Sequence, residues 1–334
     1  KGVINMNIKK IGLTALAASL VSISANAGEM TVAGSASMTV EGYTGENRNA
    51  GTGFSMGNQL TFSGSGELDN GMTVSLSFVL DQGDDGNTVG ASSTNKIGGT
   101  APFDSHSVSV SSDTLGTLKL SGEGGASTAS SIDTTAAGDI WDNFDGSIGA
   151  VSGAKVKNTE GGDNSLFYTL PSIMDDLTVN LSYKPQGSSA ASETGYGFAY
   201  SGVEGLTLKY AMTDHETGVA GTSGDDTVVM VEYAYGPVTV SASEKDYDVE
   251  TASDQEVSSY AISYTISDEL SVTYGVEEIT KSSSEDAEYS MISGSYTAGG
   301  MTISASVAEA ENVAHSTASN EDFDYWSLSA SFAF

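Results

Sequence analysis

Met72-Thr73-Val74-Ser75-Leu76-Ser77-Phe78 alternates apolar and polar side chains without a break. Successive side chains of a strand point to opposite faces, so this stretch has one apolar face and one face of small hydroxyls. Leu177-Thr178-Val179-Asn180-Leu181-Ser182-Tyr183 and Leu270-Ser271-Val272-Thr273-Tyr274 repeat the pattern. Residues 31–41 place Val32, Ala36, Met38 and Val40 on one side. No long segment has helical spacing.

The connections alternate in length. Short turns occur at Asp69-Asn70-Gly71, Ser112-Asp113-Thr114-Leu115-Gly116, Met174-Asp175-Asp176, Val203-Glu204-Gly205, Gly236-Pro237, Ser267-Asp268-Glu269 and Ala298-Gly299-Gly300. Asn-Gly and Gly-rich pairs supply the positive φ that tight hairpins need. Longer polar stretches lie between them, at 43–53, 82–104, 124–161, 185–194, 215–224, 248–255, 281–285 and 311–321. Seven short turns and eight longer loops make 15 connections, hence 16 strands.

In a water-soluble sandwich the polar faces carry charge. Here they are mostly Ser and Thr, and the acids gather in loops and at strand ends. An even strand count, about ten residues per strand, short turns at one end and long loops at the other predict an all-β fold, a 16-stranded antiparallel transmembrane β-barrel spanning residues 28–334. Closure pairs every backbone N–H and C=O, which lipid demands. Tyr183, Tyr233, Tyr235 and Tyr264 stand near strand ends, where interfacial aromatic girdles form. The competing reading is a large secreted β-sandwich or β-helix. No short repeat supports the helix.

Composition narrows the classes further. The chain has 334 residues, with 44 acids against 12 bases and a net charge of −32. Such a surface repels polyphosphate, so no nucleic-acid partner is expected. No cysteine is present, which removes disulfides, thiolate metal sites and cysteine nucleophiles. Asn7-Ile8-Lys9-Lys10, an apolar run over 11–23 and Ala25-Asn26-Ala27 read as a secretory signal peptide over residues 1–27, with Met6 as its start. Beyond it no run of 18 apolar residues occurs, which excludes a bundle of membrane-spanning helices.

Three stretches resemble the Gram-negative general porins, the 16-stranded trimeric kind. The chain ends Tyr325-Trp326-Ser327-Leu328-Ser329-Ala330-Ser331-Phe332-Ala333-Phe334, similar to the terminal strand read by the outer-membrane assembly machinery. Asn164-Ser165-Leu166-Phe167-Tyr168-Thr169-Leu170-Pro171 resembles the family's sixth-strand pattern. The longest loop is third in order and contains Gly138-Asp139-Ile140-Trp141-Asp142-Asn143-Phe144-Asp145-Gly146, where porins fold a loop into the pore. The resemblance implies an outer-membrane location, short periplasmic turns, long extracellular loops, an inward third loop, a homotrimer, and Phe334 as assembly signal. The chain departs from the family in one respect. Porins commonly set arginines opposite the third loop, whereas Arg48 is the single arginine here and lies in a loop.

Alternation also orients the lumen. Leu118 and Leu120 face lipid, so Lys119 faces inward; the same parity turns Lys209 and Lys184 inward. A lysine at the lipid midplane would cost about 2–4 kcal/mol, which favours the same placement. Asp139, Asp142 and Asp145 recur every three residues and, on a helical turn, would share one face as an acidic pore constriction. The competing reading is a solvated loop. Trp141 and Phe144 would anchor that loop to the wall.

These features predict a water-filled channel for passive diffusion of small hydrophilic solutes and ions, cation-preferring, with no chemistry and no cofactor. Asp81-Gln82-Gly83-Asp84-Asp85-Gly86-Asn87 offers oxygen ligands for weak Ca²⁺ binding but lacks the EF-hand spacing. One alternative is a structural or adhesive barrel without conductance. The other is a barrel enzyme of the phospholipase kind. His106, His215 and His315 stand roughly a hundred residues apart with no metal-ligand spacing, and no Gly-x-Ser-x-Gly elbow occurs.

Overall fold

The structure is a computed structural model, and it describes residues 23–24, 29–44, 51–81, 104–132, 134–144, 156–157, 162–185, 192–218, 221–250, 254–282, 284–313, 315 and 322–334. Sixteen strands form the wall: β1 (Glu29–Thr44), β2 (Gly51–Glu67), β3 (Thr73–Asp81), β4 (Ser105–Ser112), β5 (Gly116–Glu123), β6 (Ser165–Thr169), β7 (Leu177–Lys184), β8 (Ser192–Tyr200), β9 (Leu206–Glu216), β10 (Gly224–Tyr235), β11 (Val238–Val249), β12 (Gln255–Thr265), β13 (Leu270–Lys281), β14 (Ala287–Ala298), β15 (Met301–Glu311) and β16 (Phe323–Ala333). Each pairs antiparallel with its sequence neighbour, and β16 pairs with β1 from Asp324↔Thr44 to Ala333↔Ser35. The sheet is closed, as the alternation and loop lengths predict. Within the expected leader, Ile23 and Ser24 pair with Met30 and Glu29 at the foot of β1.

Turn chemistry explains the sharp ends. Gly71 adopts φ 80°, and the Asn70 side chain accepts from the Met72 amide at 3.1 Å, closing the β2–β3 hairpin. Along the strands one parity is apolar and exposed. Met38, Leu60, Leu76, Val108, Leu120, Ile262, Ile292 and Leu328 all point outward, as do Tyr183, Tyr233, Tyr235 and Tyr264. In water such a surface would aggregate, whereas in lipid it is solvated.

The closing seam depends on one small residue. Gly34 and Phe334 exchange backbone hydrogen bonds at 2.7 and 2.9 Å, and the Phe334 ring occupies the space a side chain at 34 would need. Gly34→Val should displace the ring and loosen the β16–β1 closure by about 1–3 kcal/mol. The check is the temperature at which the folded band converts to the unfolded one on a semi-native gel, which should fall in the variant and stay unchanged for an outward valine placed away from the seam.

Candidate functional site: the lumen and its third loop

After β5 the chain turns into the barrel and follows the inner wall. Thr128 donates to the Met212 carbonyl at 2.9 Å, its amide donates to Ser182 Oγ at 2.9 Å, and the Ala129 amide donates to Thr213 Oγ1 at 3.1 Å. Further along, the Ala136 amide meets Ser243 Oγ at 2.8 Å and the Ala137 amide meets Ser259 Oγ at 2.9 Å. Tyr43 Oη of β1 donates to the Asn143 carbonyl at 2.8 Å. One loop therefore touches β7, β9, β11, β12 and β1, which only a path inside the barrel allows. These contacts fix which parity faces the lumen.

Short side chains make the path possible. Serine and threonine hydroxyls on the wall satisfy loop amides that would otherwise be buried unpaired, each bond contributing about 1 kcal/mol net. Two wall positions are bare. A Cβ on Gly195 would run into Thr128 Oγ1, and one on Gly275 would stand 2.7 Å from Ala137 Cβ. Loop residues Thr128 and Ala137 lie where those side chains would be.

Glu277 of β13 is the strongest fixing point. Its side chain is 3% exposed. Oε2 accepts from the Trp141 amide at 2.9 Å, and Oε1 accepts from Thr135 Oγ1. Thr135 in turn accepts from the Asp139 amide, and its own amide donates to Asp139 Oδ1, both at 2.9 Å. Beyond this ring an apolar core fills the lumen margin at the loop end. Phe144, fully buried, packs on Tyr289 and Tyr325 with ring centroids 5.7 and 6.1 Å away. Ile140 is also fully buried, and Trp141 packs half-buried against the same cluster.

The three aspartates of the loop differ. A 3₁₀ turn spans Ile140–Phe144, so Asp139 stands before it, at φ 56°, with its carboxylate turned back onto Thr135. Asp142 lies within the turn and is exposed. Asp145 lies outside the described residues. Asp139 thus stands outside the turn that carries Asp142, with one carboxylate oxygen accepting from a loop amide.

The lysines follow the inward parity. Lys119 stands beside Ser109 and Phe167, Lys209 beside Met230 and Ala199, and Lys184 beside Glu193. Behind the loop lies a charged group that sequence reasoning did not single out. Lys245 Nζ lies 3.6 Å from Asp226 Oδ2, with the two side chains 5% and 0% exposed. His215 Nδ1 lies 3.1 Å from Glu193 Oε1. The returning limb covers this group, with the Lys157 amide donating to Gln255 Oε1 at 2.6 Å and Lys157 Nζ 5.7 Å from the Tyr247 ring centroid. The parity rule that orients Lys209 would have turned Lys245 and Glu277 inward too.

Among the described residues, Glu244, Asp246 and Glu256 bring carboxylate oxygens within 4.8 Å of one another. They face outward, away from the lumen. The Ca²⁺-type loop after Asp81 lies outside the described residues. His106 sits 3.9 Å from Glu123, and His315 Nδ1 lies 3.0 Å from the Glu285 carbonyl oxygen.

Sixteen strands closed into a barrel, apolar outside and hydroxyl-lined inside, with the third loop held against the inner wall, define a porin-type outer-membrane barrel. The chain belongs to the Gram-negative porin family, whose sequence pattern matches residues 12–334. It is an outer-membrane protein. Its fold is similar to that of an anion-selective porin from Comamonas acidovorans, with TM-score 0.66 and 14% identity over 92% of this chain and 100% of that one. A porin refined at 1.8 Å resolution gives TM-score 0.65 and 17% identity over 92% and 100%. The outer-membrane OmpT of Vibrio cholerae gives 0.65 and 11% over 94% and 100%. At these identities the likeness is one of fold. No curated protein matches the chain.

Glu277→Ala should release the loop from the wall, since each hydrogen bond to a charged group contributes about 1.5–3 kcal/mol. In a Trp326→Phe background, Trp141 is the remaining tryptophan, and its emission should shift to the red in the Glu277→Ala variant. Protease should then cleave within residues 134–144, which should resist in the parent.

Proposed function

We propose that the protein is a passive diffusion channel for small hydrophilic solutes and ions, and that it prefers cations. The observation that carries this reading is the third loop inside the lumen. A polar segment bound along the inner wall narrows a water-filled passage without closing it, and the radius and lining of such a passage set what crosses. Asp142 supports the sign of the preference, because it is exposed on the inward loop. Glu41 and Glu232 add inward carboxylates, against Lys119 and Lys209. Low-dielectric walls focus the field of such lining charges. Screening over roughly 8 Å limits the effect of distant surface acids. Asp139 acts as a positioning residue of the loop, and Asp145 adds to the local negative charge.

The remaining features fit the same reading. Trp141 and Phe144 keep the loop on the wall. The protein works as a homotrimer, residues 1–27 are removed during export, and Phe334 serves as the assembly signal. No cofactor takes part, and the Asp81–Asn87 loop holds Ca²⁺ at most weakly. An adhesive barrel would show no conductance, and a barrel phospholipase would release fatty acid from vesicles.

A planar bilayer tests the proposal. Insertion should give conductance in groups of three steps, and a salt gradient should give a reversal potential of cation sign. Asp142→Asn should move that potential toward the anion side, and Asp142→Asn with Asp145→Asn further, with smaller shifts at high salt. Anion preference in the parent protein, or no shift in the double variant, would remove the acidic-loop mechanism.

A further inference from the structure

The third loop covers the wall from β7 round to β1, its two ends meet at Gly125 and Gly162 over β5 and β6, and the sector from β2 to β4 faces open lumen. One register row crosses that sector. Thr31 of β1 pairs with Ser63, Ser63 with Ser77, Ser77 with Ser107, Ser107 with Ser121, and Ser121 with Ser165 of β6. Six consecutive strands thus carry a hydroxyl at one level on the inward parity; Ser121 and Ser165 are buried beneath the Gly125–Gly162 bridge, with Ser165 Oγ donating to the Gly162 carbonyl, and the four from Thr31 to Ser107 face the lumen. The next row, Ser65–Ser75–Ser109, is also hydroxyl and ends at Lys119 of β5. These two rows form most of the lining of a hollow of about 320 Å³ along β1–β4. That volume is at the lower end of the range for small-molecule sites, about 300–1,000 Å³.

A row of this kind has a defined chemistry. Each hydroxyl donates one hydrogen bond and accepts two, and it rotates to suit its partner. A polyol presents the same groups, so every solute–water bond lost in the narrow lumen is replaced by one of equal type. Ions and zwitterions shed stronger hydration, and an uncharged row returns little of it. Buried charge is concentrated on the other side of the lumen, behind the loop, in Glu193, Asp226 and Lys245.

We propose that the hydroxyl row from Thr31 to Ser107 is a track for uncharged polyhydroxyl solutes of monosaccharide size, which pass by exchanging hydrogen bonds along it. This rests on the channel reading and adds the class of neutral solute the free wall favours. It is separate from the cation preference, which belongs to the loop.

Proteoliposome swelling in arabinose and in glutamine, a zwitterion of closely matched mass, tests the track. The parent protein should admit arabinose faster by about two- to fivefold, the value of a fraction to one net hydrogen bond. Combined Ser63→Ala, Ser77→Ala and Ser107→Ala should bring the ratio near one while KCl conductance in a planar bilayer is retained. If the triple variant fails to form the heat-modifiable barrel, Ser77→Ala alone should lower the ratio measurably. Equal rates in the parent, or an unchanged ratio in the variant, would overturn the track while KCl current leaves the channel reading standing. Loss of KCl current in the parent itself would overturn both.

Discussion

Lipid offers no hydrogen bond to a peptide group, and every other feature of this protein follows from that deficit. An open sheet would leave two rows of unpaired N–H and C=O in hydrocarbon, at several kcal/mol for each group. Sixteen short strands with tight turns at one end remove both edges by pairing β16 with β1. Closure then divides each strand into an outward apolar set and an inward set free to be polar. The strict alternation in stretches such as residues 72–78 is the imprint of that division on the sequence.

The inward set does two things that one chemistry permits. Small hydroxyl side chains keep the lumen wide and wet, and they are also the right partners for a loop backbone laid against them. Ser182, Thr213, Ser243 and Ser259 meet loop amides, while Gly195 and Gly275 leave the loop room. Where the wall must hold the loop more firmly, the inward set changes character. Along β13 it runs Ser271, Thr273, Gly275, Glu277, Ile279, and along β16 it runs from Ser331 up to Tyr325 and Phe323. Hydroxyls at the turn end give way to a carboxylate and an apolar core at the loop end, so the lumen is packed on one side and open on the other.

Most of the barrel was legible in the sequence because period two is a local property. Strand number, connection order, the outward set and the inward lysines need only alternation and turn residues. The details of the site were not legible, because they depend on which strands one loop passes. Ser182 and Ser259 look like any other serine in an alternating strand, and nothing local says that they bind Thr128 and Ala137. Asp139 was expected to line the pore. Its Oδ1 accepts from the Thr135 amide, a contact that the spacing of the aspartates does not announce. Two signals could have been read. Glu277 and Lys245 share the parity of inward serines, and the inward positions of β16 become aromatic at Tyr325 and Phe323. An inward aromatic near the loop end requires something to pack on, and here that is Phe144.

The third loop is held against the inner wall by contacts with β11–β13, and a cross-link tests this most directly. The chain has no cysteine, so two introduced thiols report on their own separation. Ala137 Cβ lies 2.7 Å from the position a Cβ at residue 275 would take, about 1 Å short of the spacing a disulfide needs, so the pair reaches bonding distance once loop and wall part by about that much. Ala137→Cys combined with Gly275→Cys should close into an intramolecular disulfide on mild oxidation of the folded barrel, with the single-channel conductance unchanged between oxidised and reduced protein. Thiols that stay free in the folded barrel, or a bond that forms only with a change in current, would contradict a loop already seated on the wall.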